Sequence, residues 1–161
     1  MGTILKAGIV LGVLCEIWSF LYVGAGWHRN AATSNLFFVV ILIQLLVLIW
    51  ALRQTAAEGR GYGGQLGAGT LISLIGGIII LIGSYVCATI VFPNYLSEYQ
   101  AMQEEALRTA GRSESEIQEI RDMTAKTSTP AMSSLFGFIG TVITGFVMSL
   151  ILGAFFRAKK A

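Results

Sequence analysis

The sequence predicts an all-α protein: a polytopic four-helix transmembrane bundle with an extracytoplasmic helical hairpin between helices three and four. Three observations carry this expectation. Four long apolar stretches fill the 161-residue chain. Hydrophobic residues make up 55% of it and charged residues only 12%, against about 25% charged in soluble domains. The one sizeable polar insertion, an acidic one, lies between the third and fourth stretches. A spanning helix needs roughly 20 apolar residues, so residues 1–161 read as a single integral membrane domain.

The first span is expected over about 4–26 and the second over about 36–52, joined by the polar turn from Trp27 to Ser34. The apolar region of the first span is long and holds Glu16, so it reads as an uncleaved span despite the small residues Val23, Gly24 and Ala25. The third span is expected over about 66–92 and the fourth over about 132–156. Glycines 59, 61, 63 and 64 mark a loop between spans two and three.

Charge near the membrane ends sets the orientation. With four spans, one side holds Lys6, Arg53, Arg60, Arg157, Lys159 and Lys160 against the single acid Glu58. The other side holds Arg29 and the insertion, where four basic residues meet seven acidic ones. Both termini are therefore expected in the cytoplasm and the insertion outside. Trp50, Tyr62 and Phe155 fall near the inner boundary, and Trp27, Tyr85 and Tyr95 near the outer one, where aromatic anchors belong.

The insertion, about 93–130, reads as a helical hairpin. Tyr95, Tyr99, Met102 and Ala106 recur on one helical face, and Gly111 supplies a stop. Ser113 and Glu116 have capping-box spacing and open a second helix carrying Ile117 and Ile120. Pro130 resets the chain before span four. The plain expectation is a solvated connector on the headgroups; the sharper one is an outer docking face made by Tyr95, Tyr99, Met102, Ile117 and Ile120.

Span four carries Ser133, Gly137, Thr141, Gly145, Ser149 and Gly153, each four residues apart. Lipid tails give helices no hydrophobic reason to associate, so small residues that admit close backbone approach act as the glue. Each four-residue step drifts about 40° around the helix, so the stripe winds. Span three offers a mate in Gly69, Ser73, Gly77 and Ser84, with Gly76 and Gly83 alongside, and span one adds Gly8 and Gly12, with Glu16 continuing the row. The pattern speaks to packing, within or between subunits.

Glu16 is the residue hardest to explain as packing. A charge at mid-bilayer costs about 2.5–3.5 kcal/mol on the insertion scale. Helical rise places Glu16 roughly 16 Å and Gln44 roughly 18 Å from the inner boundary, with Thr141 at a similar depth. Ser19 lies one turn above Glu16. These four form the candidate intramembrane polar site, either a neutral, protonated Glu16 hydrogen-bonded to Gln44 or a proton-titrating group lining a cavity.

The lone histidine, His28, is expected in an exposed turn beside Arg29 without partners at metal-ligand spacing. No hydrolase triad, HExxH motif, paired intramembrane aspartates or phosphate loop appears. Cys15 and Cys87 lie in apolar stretches at different depths and read as packing thiols. The expectation is no enzyme, no cofactor, no metal and no nucleic-acid partner.

The chain also resembles a widespread bacterial family of small four-pass membrane proteins, catalogued only as a domain of unknown function (family 4199 of that series). The similar features begin with the Gly-rich entry to span three from Gly61 to Gln65 and the outer segment from Phe92 to Leu96. The hairpin from Gly111 to Ile117 follows, then Pro130, the stretch from Leu135 to Gly140, the run from Ser149 to Ile151, and a basic tail. The resemblance implies a bacterial inner membrane and brings no catalytic residues. Glu16 and Gln44 do not come from it.

Packing information beside scarce chemistry favours a non-enzymatic membrane protein, self-associating or docked as an accessory subunit on other membrane subunits. The alternative is a proton-coupled small-molecule transporter, or a channel formed by an oligomer, using Glu16. One carboxylate in the first of four helices is similar to the small multidrug-resistance transporters, but the long insertion and the missing aromatic pattern depart from them. A third expectation is a lipid- or peptide-binding protein using the outer hairpin.

Overall fold

A bilayer offers backbone N–H and C=O groups no solvent partner, so each apolar run closes its hydrogen bonds within a helix. The computed structural model describes residues 2–125 and 127–156. Lys126 and the basic residues Arg157, Lys159 and Lys160 lie outside the described residues. Helix α1 spans Thr3–Gly24. A left-handed Gly26 (φ 71°) and a 3-10 turn Trp27–Arg29 lead into the short α2, Ala31–Ser34, capped by the Asn30 side chain. A second 3-10 turn, Asn35–Phe38, runs into α3, Val39–Ala57. Helix α4, Tyr62–Val86, continues as a π-helical turn Cys87–Val91. Then come α5, Tyr95–Thr109, α6, Glu114–Ala125, and α7, Pro130–Phe155.

Four helical segments, 3–24, 31–57, 62–91 and 130–155, are long and apolar enough to cross a membrane. Their ends follow hydrogen bonding rather than the edge of the apolar run. The second continues past Leu52 because Thr55 is fully buried against Gln65. The fourth begins at Pro130, whose missing N–H costs nothing at the first helical position, with the Thr129 hydroxyl accepting from the Met132 N–H.

Helix α4 is the centre of the bundle, packed most extensively on α7 and α1. Gly8 meets Ile75 and Gly12 meets Ile79; residue numbers rise together, so α1 and α4 run parallel. Gly69 meets Ser149, Ser73 meets Gly145 and Gly77 meets Phe138; one series rises as the other falls, so α4 and α7 are antiparallel. Gly76 and Gly83 thus serve the α1 face while Gly69, Ser73 and Gly77 serve the α7 face. Gly153 sits against Gln65 and Tyr62, and Gly137 against Ile80. Most of the small-residue positions are engaged inside one chain.

Helix α3 completes the core, with Val47, Leu48 and Ala51 packing with Ala7, Leu11 and Ile72. Outward positions stay apolar, as Ile17, Leu46, Ile82 and Ile143 illustrate, the arrangement a lipid solvent favours. Outside the bundle, Gly111 (φ 78°) breaks the chain between α5 and α6. Ser113 and Glu116 exchange reciprocal hydrogen bonds at the start of α6. Arg121 pairs with Glu104, and Arg108 with Glu114.

Candidate functional site

A cavity of about 510 Å³ opens between α1, α3, α4 and α7 at the end of the bundle nearest α5. Its volume lies within the 300–1,000 Å³ usual for small-molecule sites. Among the described residues, no charged residue lines it. Ile41 and Phe136 sit at its margin, 41% and 51% exposed on the outer surface of α3 and α7, and Gly140 leaves open space where a side chain would stand. Tyr95, Leu96 and Tyr99 bring α5 against the same space. The π-helical turn places Cys87 and Ala88 in the wall; both cysteines are buried free thiols.

Gln44 is a buried polar group of the wall. Its Nε2 donates to the Ser73 hydroxyl (3.3 Å) and to the Thr141 carbonyl (2.7 Å), tying α3 to α4 and α7. Both bonds use the nitrogen, so its carbonyl oxygen is an unspent acceptor among the described residues. Several of the surrounding hydroxyls are committed in the same sense. Ser19 donates to the Cys15 carbonyl, Ser134 to Pro130, Thr141 to Gly137 and Tyr22 to Ser34. A hydroxyl has one proton and two lone pairs, so these groups offer a ligand acceptors.

The four residues of the expected polar site are not joined as expected. Gln44, Thr141 and Ser19 all line the cavity, but Gln44 reaches the Thr141 backbone and not its hydroxyl. Glu16 turns away from Gln44 towards α4, where its Oε1 accepts from the Ser84 hydroxyl at 3.0 Å. Its Oε2 is buried without a hydrogen-bond partner among the described residues. Gly83 makes the room, since a Cβ there would lie 2.7 Å from the Glu16 Cγ. Depth arithmetic from aligned inner boundaries missed Ser84 because α4 starts two turns before the level at which α1 begins. The repeat of Gly8, Gly12 and Glu16 against Gly76 and Gly83 was the available signal.

His28 corrects the sequence expectation of an exposed turn: it is only 1% exposed. Its Nε2 shares a 2.8 Å hydrogen bond with Glu98, and its ring meets Tyr95 edge-on at 5.1 Å. Arg29 donates twice to the same carboxylate, at 2.9 and 3.0 Å. Arg29 first and His28 second hold the Glu98 carboxyl below the usual carboxylate range. Burial pushes the Tyr95 phenol up.

The residues read as an outer docking face therefore do not share one free surface. Tyr95 packs on His28, Tyr99 lines the cavity and Ile117 is 2% exposed. Met102 lies in a shallow surface groove beside Arg29, and Ile120 remains exposed. Helical periodicity identifies a face but not what covers it. Among the described residues, no group of three His, Cys, Asp or Glu is placed to hold a metal ion.

The model of a family described as "Protein of unknown function (DUF4199)" matches residues 6–158. Neither the curated proteins nor the solved structures contain a match to the chain.

Proposed function

The chain belongs to the DUF4199 family of unknown function, and we propose that it is a multi-pass, non-enzymatic membrane protein that binds an uncharged amphipathic molecule of the membrane. The observation that carries this reading is the charge-free cavity of about 510 Å³ bordered by exposed apolar side chains of α3 and α7. A lipid-like ligand enters such a site sideways from the hydrocarbon and meets hydrogen-bonding groups within it. A charged headgroup placed there would be desolvated without a partner.

The resemblance to a bacterial family supports an inner-membrane placement, and the basic residues Lys6, Arg53 and Arg60 with the acidic α5–α6 segment support both termini cytoplasmic. The small-residue stripe, engaged within the chain, supplies no argument for a second copy. Proton-coupled transport is the second reading, favoured by the buried, unpartnered Oε2 of Glu16.

The test is native mass spectrometry of the purified protein, with chemical identification of what co-purifies. A neutral lipid retained by the wild type and lost in Gly140→Phe, which fills the open space at the cavity, is the expected result. No retained molecule, or equal retention by the filled variant, would overturn the reading.

A further inference from the structure

We infer that Ser84 is a reversible hydrogen-bonding group of the cavity, set to accept or to donate by the charge on Glu16, so that Glu16 protonation selects between ligand types. This rests on the cavity-binding reading above and adds a specificity determinant to it.

Ser84 lines the cavity and also donates to Glu16 Oε1 at 3.0 Å. Glu16 itself does not line the cavity, so it acts one hydrogen bond behind the wall. While Glu16 is ionised, it has only acceptors, and the single Ser84 proton is held on Oε1. Ser84 then presents only a lone pair to a ligand. When Glu16 takes up a proton on Oε1, that O–H donates back to Ser84 Oγ across the same separation. The Ser84 proton is released to turn into the cavity, where it donates to a ligand carbonyl. No heavy atom moves and the proton count changes by one, on Glu16.

The other hydroxyls whose protons are committed in the wall cannot do this. Ser19, Ser134, Thr141 and Tyr22 donate to backbone carbonyls, which never become donors. Ser84 differs in being bonded to a group that titrates. The titratable groups facing Glu16 are Cys15 on its own helix and Cys87 after α4. Helix α7 and the α3 segment from Val39 to Leu52 carry no titratable side chain. Among the described residues no salt bridge reaches Glu16, which leaves its charge uncompensated and its protonation free to respond to the ligand.

The experiment uses the full-length protein in nanodiscs with two labelled probes of equal chain length, a long-chain 2-alkanone and the corresponding 2-alkanol, between about pH 5 and about pH 9. The ketone only accepts a hydrogen bond, whereas the alcohol adopts either role. Ketone affinity is expected to rise about threefold to tenfold on acidification, one net hydrogen bond, with alcohol affinity nearly level. Ser84→Ala removes the pH response. Glu16→Gln, whose amide donates at every pH, holds ketone affinity high and level.

Isotope-edited infrared spectroscopy supplies a ligand-free readout: a protonated-carboxyl band that Glu16→Gln abolishes and Ser84→Ala shifts. A ketone-to-alcohol ratio independent of pH in the wild type, or a carboxyl band indifferent to Ser84→Ala, would overturn the inference and leave the binding reading standing. Absence of probe binding at every pH would overturn both.

Discussion

Gly69 faces Ser149 across the α4–α7 interface with no room for a side chain: an added Cβ would collide with the serine hydroxyl and lie 2.8 Å from its Cβ. Ser149 is fully buried and its hydroxyl is already bonded to the Gly145 carbonyl at 2.6 Å, so it cannot swing aside cheaply. Gly69→Ala is expected to destabilise the bundle by about 1–3 kcal/mol through overpacking. Gly67→Ala, two residues away on the same helix with open space around it, is the control and should be neutral or slightly stabilising. Unfolding titrations in mixed detergent micelles read the difference, and equal stabilities would contradict the contact.

Gln65 closes the other end of the bundle. It is fully buried, its Nε2 donates to the Leu52 and Phe156 carbonyls at 3.1 and 3.0 Å, and its Oε1 accepts from Thr55 at 2.6 Å. These bonds join the end of α3 to α4 and to the end of α7, where the Phe156 carbonyl is one that a helix terminus leaves open. Gln65→Leu preserves much of the volume but strands these groups. A loss of about 1–3 kcal/mol is expected in the same titration, with faster amide exchange confined to the ends of α3 and α7.

The contact of Glu98 with Arg29 and His28 tethers α5, which borders the cavity. Since Arg29 and His28 lower the folded carboxyl below its ordinary value, the tether is complete above the unfolded value of about 4.3. It is lost as pH falls through the lower folded value. Amide protection across Tyr95–Thr109 should therefore drop on acidification. In Glu98→Gln it should be low already and level through the same window. A wild-type α5 whose protection ignores acidification would disprove the tether.

Topology is tested by Ala110→Cys, an exposed position beside the α5–α6 break, with an impermeant maleimide in intact cells. Labelling without lysis is expected for an outside hairpin, against the buried Cys15 and Cys87 as background. Labelling only after lysis would place this segment, with its acidic helices, in the cytoplasm.

By itself the sequence determined the features that depend on a few neighbouring residues. Four apolar runs became four long helices, Gly111 broke the α5–α6 segment, and Ser113 and Glu116 formed their reciprocal cap. The four-residue register of small side chains in span four was legible too, because a helix's own period brings those positions to one stripe. Helix packing set which face of α4 each glycine serves, that Glu16 bonds Ser84 rather than Gln44, and that His28 is buried under α5. These outcomes depend on the rotation and axial offset of helices distant in sequence. A shift of one turn exchanges every cross-helix partner while leaving each helix's own pattern untouched, and the packing of side chains selects the offset.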